Sequence, residues 1–277
     1  MKRGLSGAFG LCGGACLWGR REAAHAGMRH PRIVLMYHGV SESPSFNSVP
    51  AKAFREHLSY LADHYRVSTL KDLCESFNSK GGGPQVSLSF DDAYTNLFAF
   101  GVPVLRKLGL PATVFVPAGH MGAANTWERV PGFEALNVAG AELLRQSDPK
   151  LLEIGSHGMN HIPLRGLSDA DLHREVAESR ARLSETLGRE IRFFAYPYGR
   201  PWHQDARARA AVQAAGYLAA CSSVWGRFNG ESTRWAMRRL VIMPGDSWKD
   251  VAAKLKGWYD WTAVLEQYFR RGAGGTD

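Results

Sequence analysis

The stretch Val86–Asn96, VSLSFDDAYTN, decides how the rest of the chain is read. Val86, Leu88 and Phe90 alternate with Ser87 and Ser89, the period of a strand. Two carboxylates, Asp91 and Asp92, follow where that strand should end. Adjacent aspartates repel, so a strand end carrying both calls for a positive charge or a chemical task. The ordinary alternative is capping: Asp92 stands just before an apolar-periodic stretch, 94–108, whose first N–H groups it could accept.

Working outward, short apolar runs alternate with amphipathic stretches. RIVLMYH (32–38), PATVFV (111–116), LEIGSH (152–157), RFFAYPYG (192–199), YLAAC (217–221) and RRLVIM (238–243) read as further strands. Between them, 51–65 places Phe54, Leu58, Leu61 and Tyr65 on one helical face, and 94–109 reads as a helix kinked near Pro103. The helix expected over 167–188 carries a Ser168 cap, with Asp171 three residues on, and is closed by Gly188. Helices are also expected over 206–216 and 247–269, the last with Trp258 and Trp261 in the core. Strands alternating with helices across short links predict parallel strands with crossover helices. About seven such units in one α/β domain favour a closed (β/α) barrel over an open sheet. Residues 1–27 are expected to be a leader or an upstream extension of the true start, 28–270 the domain, and 271–277 a frayed tail.

Bulk properties bound the function. With 277 residues, 45% hydrophobic and 22% charged, the chain has ordinary globular composition. The net charge is +8, yet five basic residues against one acidic fall in the first 30 positions, so half the excess sits there. The remainder is mild, and no basic stripe with interleaved aromatics appears, so nucleic acid is not the expected partner. Cys12, Cys16, Cys74 and Cys221 show no metal-knuckle spacing and are expected as free thiols. No stretch reaches the roughly 18 apolar residues of a membrane span. Residues 1–26 have a charged start, a small apolar run and an AHA at 24–26, but glycines and Arg20–Glu22 interrupt them. A cytoplasmic location is favoured, with export to the periplasm the alternative if these residues are a signal peptide.

Catalytic groups of such barrels stand at the carboxyl ends of strands, and polar residues collect there. One strand ends in His38, another in Asp91–Asp92, a third in His157 with His161 behind it, a fourth in Tyr196–Pro197–Tyr198–Gly199. Two histidines and a carboxylate are the ligand set of a catalytic divalent metal with one position left open. The HxxxH of SHGMNH is weak alone, and flanking glycines suggest a turn rather than a helix presenting both imidazoles. Beside a double aspartate it strengthens: one carboxylate can bind the metal while the other acts as general base on a water whose pKa the metal lowers.

In this order and spacing, LSFDDAYTN (88–96), SHGMNH (156–161) and FAYPYG (194–199) resemble the polysaccharide deacetylase family, the carbohydrate esterases of NodB type. The similarity runs from about Arg32 to Met243. VLMYHGVSE (34–42) and FAYPYG look most like the branch that acts on exopolysaccharides such as poly-N-acetylglucosamine. The resemblance implies a distorted (β/α) barrel and hydrolysis of N-acetyl groups on a polysaccharide or its precursor. O-acetyl esters, a non-sugar amide, or silent carbohydrate binding are the alternatives. It implies Asp91 as base and Asp92, His157 and His161 as ligands of a divalent metal, zinc expected, with Co²⁺, Ni²⁺ or Fe²⁺ as alternatives. It implies the Tyr198 N–H as oxyanion donor.

Three departures from the family pattern matter. Ala93 replaces the usual glycine, a small change unless the position needs a positive φ. Ala195 stands where many members carry the arginine that orients the base; the exopolysaccharide branch implies Arg239 instead, with Arg238 adjacent. The usual late general acid is missing, and that branch implies His38 in its place. His57, His64, His120, His173 and His203 are expected to be structural or solvated. Trp202 and Trp225 are expected in loops near the mouth, with packing favoured over stacking on sugar rings.

Overall fold

The computed structural model describes residues 30–262 except 44, 80–82 and 129. The expected leader and tail lie outside these residues, as do Cys12 and Cys16. The strands are β1 (Arg32–Tyr37), β2 (Gly39–Ser41), β3 (Ser48–Pro50), β4 (Arg66–Val67), β5 (Gln85–Phe90), β6 (Ala112–Val116), β7 (Leu152–Ser156), β8 (Phe193–Ala195), β9 (Ala219–Trp225) and β10 (Met237–Val241). β5 through β10 follow one another in order, β10 pairs with β1, and β1 pairs with β5. Every pairing is parallel, so seven strands close into a barrel. β4 pairs with β5 beside its first two residues, where β6 has not yet begun.

Closure requires each strand to separate two surroundings. Val86, Leu88 and Phe90 belong to the large apolar layer between barrel and helices, with Phe54, Leu58 and Leu61 of α1 (Ala51–His64). A smaller cluster joins Val34, Phe115, Phe193, Ala195, Cys221 and Met237 to Leu70, Leu73 and Cys74 of α2 (Leu70–Glu75). Ser87 and Ser89 take the alternate positions on β5, and Asp91 continues their period. The register puts Tyr37 level with Phe90, and Asp91 N–H donates to the Tyr37 carbonyl at 2.9 Å, so the ends of β1 and β5 are flush.

Local chemistry sets the element ends. Ser168 Oγ accepts from Asp171 N–H at the start of α5 (Asp169–His173), after α3 (Val102–Leu108) and α4 (Ala141–Gln146). A π-turn over Arg174–Glu178 continues α5 into α6 (Ser179–Leu187), which Gly188 ends at φ 64°. α7 (Ala206–Ala214) starts on an Asp205 cap. The bend expected at Pro103 is a π-turn, Leu97–Gly101, immediately before α3. A widened turn there frees the carbonyl that a proline would otherwise clash with.

The helix expected over 247–269 breaks early, and its 263–269 part lies outside the described residues. α8 (Trp248–Lys256) stops at Gly257, φ 89°, and a turn follows. Trp258 and Trp261 are exposed, not core, because that turn carries them away from the barrel. Trp225 ends β9 rather than lying in a loop; it is buried, and its Nε1 meets Asp260 Oδ1 at 3.4 Å. Trp202 is exposed, as a loop position suggests. Among the described residues no helix is long and apolar enough to cross a membrane.

Candidate active site

The carboxyl ends of the strands share one pocket. Met36, His38, Asp91, Asp92, Trp127, Glu128, His157, His161, Tyr198 and Ser223 line it. The polar strand ends expected from sequence are thus brought together, with Arg239 beneath them.

Asp91 and Asp92 divide the two surroundings between them. Asp91 faces Arg239, which is fully buried on β10, in a two-pronged pair: Nη1 to Oδ1 and Nη2 to Oδ2, both 2.7 Å. Arg239 is itself aimed by Nε donating to the Ser222 carbonyl at 2.7 Å and Nη1 to Ser89 Oγ at 3.2 Å. The ladder between β9 and β10 shifts register just there, from Met237↔Cys221 to Arg239↔Trp225, which turns the Ser222 carbonyl toward the guanidinium. Arg238 is half-buried, its stem against Gly226, and the two hydrogen bonds to Asp91 come from Arg239. Burial alone would raise the Asp91 carboxyl, but Arg239, then His157, hold it below the ordinary range, so it is ionised at neutral pH.

Asp92 turns the other way. Its Oδ1 is 3.1 Å from His161 Nε2 and 3.6 Å from His157 Nε2, and accepts no hydrogen bond although buried. No backbone N–H reaches that oxygen, so Oδ1 caps no helix. His157 Nδ1 donates to the Ala195 carbonyl at 2.7 Å, which leaves Nε2 with its lone pair toward Asp92. Burial, then His161, push His157 down to about 4, the Asp91 charge opposing, so the ring is neutral, the ligating form. One atom from each of Asp92, His157 and His161 lies within 4.8 Å of the others. Three buried, converging acceptors with an orphaned carboxylate oxygen fit a divalent cation.

The backbone is strained around this set. Five described non-glycine residues have positive φ, and four belong here: Asp92 (67°), Ala93 (51°), His161 (56°) and Tyr198 (59°). Ala93 therefore does occupy a left-handed position, where a side chain costs about 1–2 kcal/mol. Glu175, buried in the π-turn beside α6, holds the HxxxH turn. Its Oε2 accepts Met159 and Asn160 N–H at 2.9 Å each, and Oε1 accepts Asn160 Nδ2 at 2.6 Å. Gly158, φ 80°, lies so close that a Cβ there would sit 3.0 Å from Glu175 Oε2. The turn is thus not helical, as the flanking glycines suggested.

Tyr198 is held by its carbonyl, which accepts Ser223 Oγ at 2.6 Å, and its N–H donates to no backbone group among the described residues. His38 is half-buried at the end of β1. His57 is a structural residue, its Nε2 donating to the Asp246 carbonyl at 2.9 Å. Trp127 and Glu128 escape a reading of the sequence alone. They sit in an irregular loop, where no motif or periodicity marks either residue. Burial lifts the Glu128 carboxyl above its ordinary value, His38 pulling the other way.

Comparison with known proteins accords with this geometry. The polysaccharide deacetylase family pattern matches residues 78–220. The chain belongs to that family, and hydrolytic deacetylation of a carbohydrate is the activity that membership supports. YxkH of Bacillus subtilis (strain 168), assigned to the polysaccharide deacetylases, is 27% identical over 217 residues, 77% of this chain and 72% of its own length. The poly-beta-1,6-N-acetyl-D-glucosamine N-deacetylase of Staphylococcus aureus (strain MRSA252) is 26% identical over 164 residues, 55% of this chain and 54% of that protein. The chain therefore spans about half of this relative. IcaB from Ammonifex degensii superposes with a TM-score of 0.70 at 24% identity, over 83% of this chain and 98% of that one. The deacetylase PplD of Streptococcus pyogenes, in complex with acetate, gives 0.68 at 19%, over 80% and 97%. Both likenesses bear on the fold.

Proposed function

We propose that the protein is a metal-dependent hydrolase of N-acetyl groups on a polysaccharide or its precursor. One observation carries the reading. A carboxylate kept ionised by a buried arginine, Asp91, stands beside three converging buried acceptors, Asp92, His157 and His161, in a single pocket.

In this reading Asp92, His157 and His161 hold the cation, zinc by the nitrogen and oxygen donors, with Co²⁺, Ni²⁺ and Fe²⁺ able to take its place. When bound, it polarises the acetyl carbonyl and makes water a stronger acid. Asp91 takes the proton of the attacking water, and Arg239 fixes the carboxylate plane toward it. The Tyr198 N–H donates to the oxygen that gains charge as the carbonyl becomes tetrahedral. His38, across the pocket, protonates the leaving amine. The similarity to a poly-N-acetylglucosamine deacetylase favours an N-acetylhexosamine polymer as substrate.

The test is acetate release from N-acetylglucosamine oligomers by metal-stripped protein, with and without Zn²⁺ or Co²⁺, beside Asp91→Asn. Metal-restored acetate that vanishes in the variant supports the reading. Stoichiometric metal uptake with acetate released only from O-acetylated sugars overturns the amide substrate. Metal uptake with no acetate from any acetylated glycan leaves a carbohydrate-binding protein.

A further inference from the structure

The loop between β6 and α4 is built onto the ligand set rather than merely laid over it. Tyr94 bridges to Val138 and Ala124 to Asn137, both antiparallel. Thr95 N–H donates to the Asn137 carbonyl and Ala139 N–H to the Ala93 carbonyl, each at 2.8 Å. The loop is therefore clipped to the residues that immediately follow Asp92.

Two of its side chains then reach the ligands. Asn125 is buried, and its Nδ2 donates to the Tyr94 hydroxyl oxygen at 3.0 Å. Tyr94 is fully buried and its hydroxyl faces the Asp92 carboxylate. Having accepted from the amide, the hydroxyl is left to donate toward that carboxylate. Two residues beyond Asn125, Trp127 stacks on His161, ring centres 4.4 Å apart and planes 21° apart, with His120 edge-on behind it at 5.0 Å. His161 Nδ1 and Trp127 Nε1 are both buried without a hydrogen-bond partner. Where His157 is aimed by a hydrogen bond to a carbonyl, the strained His161 is aimed by a ring face.

The geometry points to Tyr94, Asn125 and Trp127 as positioning residues that set the affinity of the Asp92–His157–His161 site for its cation, Asn125 acting through Tyr94 on Asp92 and Trp127 acting on His161. The inference rests on the metal site proposed above. A carboxylate with a fixed hydroxyl beside it, and an imidazole whose plane is held, lose less freedom on ligation. Removing such outer partners costs about 10–100-fold in affinity. Asn125, which touches Asp92 only through Tyr94, should have no effect once Tyr94 has lost its hydroxyl.

The experiment uses the metal-stripped full chain titrated with Co²⁺ by visible absorption, and with Zn²⁺ against a chromophoric chelator. Tyr94→Phe and Trp127→Leu are expected to weaken binding about 10–100-fold, and Trp127→Phe to recover most of the loss. Asn125→Ala should weaken binding in the parent but not in Tyr94→Phe, and the thermal midpoint of each metal-free variant should stay within a few degrees of the parent's. Affinities within threefold of the parent overturn the inference. So does a loss matched by collapse of the metal-free midpoint, which would make the loop a folding element only. Additive losses for Asn125 and Tyr94 overturn the relay between them. A parent chain that takes up no metal overturns the metal site itself, a different result from a tightly binding parent whose variants all match it.

Discussion

Replacing Arg239 with methionine removes the partner of Asp91 while keeping an unbranched side chain in the barrel. Two charge-assisted hydrogen bonds of 2.7 Å disappear, and Asp91 is left 4% exposed with no guanidinium. The Ser222 carbonyl and Ser89 hydroxyl lose a donor as well. Breaking one side of a buried ion pair costs about 3–5 kcal/mol, chiefly through the charge left behind. At about 2–4 °C per kcal/mol for a domain of this size, the thermal midpoint should fall by roughly 6–20 °C. With Arg239 gone, burial, the largest influence on Asp91, loses its main opponent, and the carboxyl rises. The acid limb of acetate release against pH should therefore move to higher pH. Arg239→Met combined with Asp91→Asn should be more stable than Arg239→Met alone, because no charge is stranded. Calorimetry of the four proteins closes the cycle. A midpoint within 2 °C of the parent for Arg239→Met, or a double variant less stable than the single one, refutes the reasoning.

Other outcomes follow from features elsewhere. Ala93→Val places a β-branched residue at φ 51° in a fully buried turn; we expect a loss of about 2 kcal/mol or more by denaturant titration, and an unchanged midpoint would contradict the strain. Glu175→Ala removes the acceptor of three hydrogen bonds in the HxxxH turn; it should lower both thermal stability and Co²⁺ affinity without touching the pocket, and unaltered affinity would show that the turn holds itself. Burial, the largest influence on His57, lowers its pKa in the folded protein, against the pull of the Asp246 carbonyl it donates to. The unfolded chain then binds the extra proton, so this contribution is complete above about pH 6.5 and lost as pH falls below it. The stability difference between pH 7.5 and 5.5 should shrink in His57→Gln, and an equal difference in both proteins would exclude His57. Adding Zn²⁺ at about 100 times its dissociation constant should stabilise the chain by about 2.7 kcal/mol, roughly 5–10 °C in the midpoint, and chelator should reverse it.

The barrel was legible because closure leaves a simple mark: apolar runs of strand length, each ending in a polar residue on the same side. His38, Asp91, His157 and Tyr198 were found by that rule, whereas Arg239 was implied only by the family resemblance, with Arg238 left beside it as an alternative. Periodicity fails where contact is made by irregular backbone. Nothing in the spacing of Tyr94, Asn125 and Trp127 announces that a loop folds back onto Tyr94 and His161. Glu175 looks like any acidic residue on a helix until the π-turn aims it inward. Trp258 and Trp261 show the opposite error. Helical spacing says that two residues share a face; it does not say the helix continues, and Gly257 ends it. Ala93 shows that a conformational requirement can be stated from sequence but is decided only by the backbone angle.

The order of strands around the ring also sets an order in time. Asp92, His157 and His161 follow β5 and β7, neighbours separated only by β6 and made early in synthesis. Arg239 lies on β10, 148 residues after Asp91, and reaches it only when the last strand enters between β9 and β1. A nascent chain emerging N-terminus first thus presents Asp92, His157 and His161 before the arginine that pairs with Asp91. Closure of the ring by β10 is the step that completes the pairing of Asp91 with Arg239.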